Sequence, residues 1–200
     1  MLRSDFSVLN ARLNIISIMS YNFSKLLKLI NLKMIRKIEK TDRDNLKKYF
    51  LELVTVDQER VERPQDAAKI SNSDEEKWIE SRLIGEEKKE IFTLCGFNDN
   101  GAIIAEGEIQ RLPRWIERHV AEIRFAVLPG HELIAQQMIN ELIKKSQENG
   151  IEILIYFHLS SQKTGIEIIK KFGFEQFGII KKYYKKNDRY IDRLYFVKYQ

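Results

Sequence analysis

Two hundred residues are enough to form one domain with a sizeable hydrophobic core. Hydrophobic residues make up 44% of the chain and charged residues 32%, which is typical of soluble globular proteins and excludes a low-complexity chain. The single cysteine, Cys95, excludes an internal disulfide framework, and the three histidines are too scattered to indicate a zinc site. We therefore expect a cytoplasmic protein without a bound metal.

The net charge of +5 is concentrated in the first 33 residues, which contribute +4. The remainder of the chain is nearly neutral, and it lacks the mixture of aromatic and basic residues found in nucleic-acid-binding modules. We therefore expect no nucleic-acid partner. A local excess of basic residues between Lys170 and Gln200 could still form a rim that attracts an anionic ligand.

Residues 1–33 also differ from the rest in composition, and we assign them to a flexible or peripheral extension. Their apolar run from Leu13 to Met19 is too short to span a bilayer, so no stable membrane insertion is expected. The segment from Phe23 to Lys33 could instead form a short basic amphipathic helix that touches a membrane surface. A start codon chosen upstream of Met34 would also explain the extension. The domain proper is assigned to residues 34–200.

After the extension, the spacing of apolar residues predicts strands and helices in a regular order. A strand is followed by two helices, the first capped near Asp42 and the second starting at a capping box in Ser73–Glu76. Three strands follow, and Asn98–Gly101 is typical of a hairpin turn between the first two. A helix from about Glu132 to Glu148, a buried strand, another helix and two closing strands complete the chain.

This order predicts a fold of the α/β (α+β) class. A hairpin meander that leads into a strand–helix–strand crossover requires a mixed central sheet of about six to seven strands, with helices on both faces. No internal repeat or domain boundary interrupts residues 34–200.

Two segments resemble the GNAT superfamily of acyl-CoA-dependent N-acetyltransferases. The sequence IIKKFGFEQFGIIKKYYKKNDRYIDRLYFVK at 168–198 is similar to the family's closing segment, and VAEIRFAV at 120–127 is similar to its central strand. The resemblance covers residues 34–200 and implies a GNAT-like sheet. It also implies that acetyl-CoA is the cosubstrate and that its acetyl group moves to a primary amine of a small molecule or protein. A homodimer is compatible with the resemblance.

The resemblance further implies which residues bind the cosubstrate. In the family, main-chain amides of a glycine-containing loop surround the pyrophosphate, and the central strand pairs with the pantetheine arm. The residues at the corresponding positions are Phe125, Ala126, Val127, Gly130, His131, Glu132, Leu133, Ile134, Ala135 and Gln162. Leu133 replaces a glycine and Glu132 brings negative charge toward an anion, so we expect acetyl-CoA to bind weakly.

The catalytic residue implied by the resemblance is Glu122, because one branch of the family has its general base at this position of the central strand. Pairing of Glu122 with Arg124 is the structural alternative. The family's general-acid tyrosine is replaced by Ile169, which cannot protonate a leaving thiolate. Tyr156 is one of the tyrosines that could substitute for it.

Glu108 and Trp115 are the predicted substrate-binding residues. Glu108 alternates with Glu106 on one face of the neighbouring strand, where carboxylates could bind a cationic acceptor, and Trp115 could form a wall of the cleft. The altered loop and the missing acid leave an alternative function open. In that alternative, the chain is a catalytically degenerate GNAT-fold protein that acts as an acyl-CoA sensor or a protein-interaction module.

A chain that begins at Met34 should unfold at nearly the same temperature as the full chain. The reason is that residues 1–33 carry most of the net charge but no capped, periodic segment of the core. Thermal unfolding of both chains, followed by circular dichroism, measures the difference. A large loss of stability would show instead that the extension packs on the domain.

Overall fold

The computed structural model describes residues 35–200, and the predicted extension at residues 1–33 lies outside the described residues. The described chain forms seven strands, five α-helices and two short 3-10 helices. The strands are β1 (Ile35–Lys37), β2 (Ile91–Phe97), β3 (Ile103–Arg111), β4 (Val120–Val127), β5 (Ile153–Leu159), β6 (Glu175–Lys186) and β7 (Arg189–Tyr199). The α-helices are α1 (Arg43–Val56), α2 (Pro64–Ala67), α3 (Asn72–Glu87), α4 (Glu132–Glu148) and α5 (Lys163–Lys171).

All seven strands form one sheet in the order β1–β2–β3–β4–β5–β7–β6. The pair β4–β5 is parallel, whereas β2–β3, β3–β4, β5–β7 and β6–β7 are antiparallel. The predicted mixed sheet is therefore confirmed. The two closing strands form a hairpin whose second strand, β7, is the one that joins β5. Within residues 35–200, no helix has the length and apolar character needed to cross a membrane.

The predicted order of strands and helices is confirmed with three short additions, the helix α2 and the two 3-10 helices. The predicted capping box at Ser73–Glu76 is wrong, because α3 already begins at Asn72. Ser71 Oγ accepts a hydrogen bond from the Asp74 amide at 3.1 Å, and Asp74 Oδ2 accepts one from the Ser71 amide at 3.0 Å. An aspartate at the third helical position thus completes the box that the sequence pattern assigned to a glutamate.

One face of the sheet is covered by α4, and a glycine allows the close approach. Gly107 of β3 lies against Met138 and Leu142, and a Cβ atom at this position would lie 2.7 Å from Leu142 Cδ1. Both α4 side chains are fully buried. The absence of a side chain at Gly107 therefore sets how closely α4 packs on the centre of the sheet.

The opposite face is covered by α1 and α3. Tyr49 of α1 donates a hydrogen bond to the Ala126 carbonyl of β4 at 2.7 Å, and Arg82 of α3 donates one to Glu108 of β3 at 2.8 Å. Successive side chains of a strand point to opposite faces, so Glu106 and Glu108 lie on this side while Gly107 faces α4. The predicted helices on both faces are confirmed.

The substitution Gly107→Val should destabilise the fold by about 1–3 kcal/mol, because the new side chain overlaps the packed α4 residues. Gly178→Val in β6 is the matched control, since the nearest atom to a Cβ there is Tyr195 Cβ at 3.7 Å. Urea unfolding of both variants and the wild type measures the free energies of unfolding. Equal stability of the two variants would contradict the proposed packing constraint.

Candidate active site

The parallel strands β4 and β5 pair over only three residues and then separate. Val120–Glu122 lie in register with Ile153–Ile155. Beyond this point β4 continues to Val127 paired with β3, and β5 continues to Leu159 paired with β7. A gap therefore opens between the two central strands toward their carboxyl ends.

The main-chain amides of Phe125 and Val127 point into this gap. The Leu128 amide donates a hydrogen bond to the Ile104 carbonyl on the β3 side at 2.9 Å. Because N–H groups alternate between the two edges of a strand, the amides of Phe125 and Val127 point away from β3. The gap thus offers two donors to an extended ligand that adds to the edge of β4.

A cavity of about 410 Å³ lies along the gap, and we call it the cofactor cavity. Seven of the ten residues predicted to bind the cosubstrate line it: Phe125, Ala126, Val127, His131, Glu132, Ala135 and Gln162. The other three do not line it. Leu133 is 74% exposed, Ile134 is buried against Gly96, and Gly130 forms the turn before α4.

Helix α4 begins at this cavity with unpaired main-chain amides. Gly130 precedes it with a φ of +84°, in the left-handed region that glycine adopts without strain. His131 is the N-cap residue, makes no side-chain cap and accepts the first helical hydrogen bond from the Ala135 amide at 3.1 Å. The three amides before Ala135 therefore have no partner within the helix and can bind an anion, although the carboxylate of Glu132 opposes this.

Strand β5 contributes a tyrosine and a histidine to the cofactor cavity. Tyr156 stacks on Phe125 across the gap, with ring centroids 5.5 Å apart, and its hydroxyl lies 3.1 Å from His158 Nδ1. Burial lowers the pKa of His158 to about 4 and raises the pKa of Tyr156, so both side chains are neutral at pH 7. Ile169, at the position of the family's general acid, is buried in the core.

A second cavity, of about 360 Å³, lies on the face covered by α1 and α3, and we call it the acceptor cavity. Arg60, Phe125 and Ala126 line both cavities, so the two meet at the gap. Seven of the fourteen residues that line the acceptor cavity are charged, and the apolar and aromatic ones include Leu46, Tyr49, Phe50, Ile70 and Trp78. Two ligands can therefore approach the same point of β4 from opposite faces of the sheet.

The two carboxylates that β3 contributes to the acceptor cavity have different surroundings. Glu108 is 4% exposed, pairs with Arg82 at 2.8 Å and accepts a hydrogen bond from Thr93 Oγ1 at 3.3 Å. Within residues 35–200, Glu106 has no side-chain hydrogen bond and no ion pair. Burial, followed by the charge of Glu108, raises the pKa of Glu106 to about 8 despite three opposing arginines. Glu106 is therefore the carboxyl that is free to exchange a proton.

Glu122 and Trp115 line neither of these cavities. Glu122 Oε1 lies 2.7 Å from Arg124 Nε, and Arg124 also donates a hydrogen bond to Gln110 Oε1 at 2.7 Å. The pairing with Arg124 that the sequence left open is thus observed. Trp115 begins a 3-10 turn and is 87% exposed.

Sequence reasoning missed three residues of the acceptor cavity: Tyr49, Arg60 and Glu75. Tyr49 has the spacing of the apolar face of α1, but a buried tyrosine hydroxyl requires a hydrogen-bond partner, which is the Ala126 carbonyl. Glu75 precedes the buried Ile79 by four positions in α3, and this spacing indicates the inward face of the helix. Arg60 follows α1 in a segment without periodicity, and no sequence signal locates it.

The family model described as Acetyltransferase (GNAT) domain matches residues 35–195. Among functionally curated proteins, no sequence matches this chain.

Several solved structures share the fold. An acetyltransferase of the GNAT family from Streptococcus pneumoniae is 20% identical with a TM-score of 0.73, and the match covers 84% of this chain and 99% of that chain. A ribosomal-protein-alanine N-acetyltransferase from Brucella melitensis is 19% identical with a TM-score of 0.70 and the same coverage, 84% and 99%. A phosphinothricin acetyltransferase from Sinorhizobium meliloti, in complex with acetyl-CoA, is 16% identical with a TM-score of 0.70, covering 82% and 86%. The family match over residues 35–195 establishes that this chain belongs to the GNAT family of acetyltransferase domains.

Proposed function

We propose that this chain transfers the acetyl group of acetyl-CoA to a primary amine of a small molecule or protein. The observation that supports this most directly is the meeting of two cavities at the gap between β4 and β5, with Arg60, Phe125 and Ala126 common to both. A sensor or interaction module that only binds acyl-CoA requires no second cavity with a free carboxyl. The transferase is therefore favoured over that alternative.

The cofactor cavity fits the cosubstrate mainly through its main chain. Acetyl-CoA supplies an activated thioester carbonyl, and the amide of Val127 is positioned to donate a hydrogen bond to a carbonyl oxygen in the gap. The unpaired amides at the start of α4 suit the pyrophosphate. Lys163 and Arg60 bring positive charge to the same cavity, which offsets part of the unfavourable charge of Glu132.

We infer that Glu106 is the general base, and Glu122 remains the second candidate. Glu106 lines the acceptor cavity without a partner among the described residues, whereas Glu122 is paired with Arg124. An ionised Glu106 would take a proton from the amine while the amine nitrogen attacks the thioester carbonyl. The C–S bond then breaks and the electron pair leaves with the thiolate. A thiol of ordinary pKa, about 8.5, leaves without the acid that Ile169 cannot supply.

The proposed reaction requires a single copy of the chain, because residues of that copy form both cavities. The homodimer left open by the sequence therefore adds nothing that the chemistry requires.

A cytoplasmic location is part of the proposal and is supported by the single, buried Cys95 and the lack of a disulfide framework.

The substitution Glu106→Gln should stabilise the fold, and the gain should grow as the pH rises. The pKa of Glu106 is raised from 4.5 to about 8 in the native state, so between these values the native protein holds a proton that the unfolded chain has released. The contribution of Glu106 to wild-type stability therefore falls as the pH rises from 4.5 to about 8, whereas a glutamine at this position does not titrate. Urea unfolding at pH 5 and pH 8 measures the change. Glu80→Gln, at an exposed position of α3, is the control. A gain in the stability of Glu106→Gln that does not depend on pH would contradict the burial of the Glu106 carboxyl.

In the transfer reaction, Glu106→Gln should lower kcat/KM by a factor of about 10²–10⁴ while leaving acetyl-CoA binding intact. Wild-type kcat/KM should show an inflection near pH 8 that the variant lacks, because the base must be ionised. Thiol release with a panel of amines measures turnover, and calorimetric titration measures acetyl-CoA binding.

Glu122→Gln is the matched variant for this experiment. A loss confined to Glu122→Gln would assign the base to Glu122, and equal activity of both variants and the wild type would exclude both carboxylates. The absence of any binding heat at millimolar acetyl-CoA would overturn the proposed function itself.

A further inference from the structure

A second carboxyl in the acceptor cavity has no partner among the described residues. Glu75 lies in the first turns of α3 and lines the cavity, although it is only 7% exposed. Within residues 35–200, its side chain forms no hydrogen bond and no ion pair. Desolvation raises the pKa of Glu75 above its ordinary value, and the nearby charge of Lys47 opposes this shift. The proposed transfer reaction assigns no role to this carboxyl.

Each arginine of the acceptor cavity pairs with a carboxylate other than Glu75 and Glu106, although the charges of all three also act on Glu106. The paired atoms are Arg60 Nε with Glu62 Oε2 at 3.0 Å, Arg82 Nε with Glu108 Oε2 at 2.8 Å, and Arg124 Nε with Glu122 Oε1 at 2.7 Å. Three cations and three carboxylates thus form separate pairs. The cavity retains two further carboxyls, and a ligand with positive charge at two places would complement both.

Apolar side chains line the same cavity as these carboxyls and suit the apolar part of a ligand. Leu46, Phe50 and Ile70 line the cavity, and its volume of about 360 Å³ is that of a small-molecule site. Trp78 is also present, but its ring is covered by the Arg82 guanidinium at 4.5 Å, so it is not free to bind a ligand cation. The second charge of a ligand is therefore left to Glu75.

We propose that the acceptor is an amine with a second positive charge, which Glu75 binds while Glu106 faces the reacting amine. This inference rests on the proposed function, since Glu106 is there the base. Glu75 determines specificity and does not touch the reacting atoms. Free linear diamines and peptides with neighbouring basic side chains both offer an amine and a second positive charge. The residues that line the cavity do not distinguish between these two kinds of acceptor.

The test compares acetyl transfer to linear diamines of three to six carbons with transfer to monoalkylamines of the same lengths. The full-length wild-type chain should prefer the best diamine over its monoamine by about tenfold or more in kcat/KM, as expected for one hydrogen-bonded charge pair. In Glu75→Gln this ratio should fall toward one, mainly through a higher KM for the diamine. Glu80→Gln, an exposed position of the same helix, should keep the wild-type ratio.

A parallel comparison uses short peptides in which a lysine lies next to a second lysine or next to an alanine. If only the peptides show faster transfer when a second positive charge is present, the acceptor is a protein. If only the diamines show it, the acceptor is a small molecule. Both results support the role of Glu75, provided that Glu75→Gln removes the preference. Transfer to monoamines at rates equal to those for the dicationic acceptors would overturn this inference but leave the transferase intact. Failure with every amine would instead count against the proposed function.

Discussion

The site depends on the separation of β4 and β5 after three paired residues. Each strand keeps its other neighbour, β3 or β7, so the sheet stays continuous while one edge of β4 is left unpaired. Unpaired main-chain donors inside a protein are unfavourable unless a ligand or water binds them. Phe125 and Tyr156 stack across the gap, with ring centroids 5.5 Å apart. A binding surface is therefore built into the backbone itself.

The two faces of the sheet carry different cavities, and the proposed reaction assigns one ligand to each. On the α4 face, glycines such as Gly107 let the helix approach, which brings its amino-terminal end to the gap. On the other face, β3 and β4 carry charged residues that α1 and α3 cover only in part. The same alternation of side chains along β3 thus produces close packing on one side and a polar cavity on the other.

The altered loop before α4 shows why main-chain binding tolerates sequence change. Leu133 replaces a glycine of the family pattern, yet its side chain points to solvent and is 74% exposed, so it does not fill the cofactor cavity. Any residue except proline supplies the amide that an anion needs at a helix start. The cost of the change is electrostatic instead, because Glu132 lines the cavity at the positive end of the helix. We therefore expect the change to weaken binding of the cosubstrate rather than to block the site.

The sequence by itself determined the order of the elements, the mixed sheet and the position of α4, because apolar periodicity and turn residues are local properties. The resemblance to the GNAT family pointed to the main-chain donors of β4 and α4, and seven of the ten residues that it implied line one cavity. The sequence misplaced the start of α3, because Ser71–Asp74 and Ser73–Glu76 both have the spacing of a capping box and a local pattern does not show which pair caps the helix. Only the tertiary structure distinguished Glu106 from Glu108, and it did so through Arg82, which is 26 residues away from Glu108 in the chain. In the same way, the environments of Glu122, Glu75 and Arg60 are decided by partners on other elements, because the charge and burial of a carboxyl depend on contacts that a local pattern does not contain.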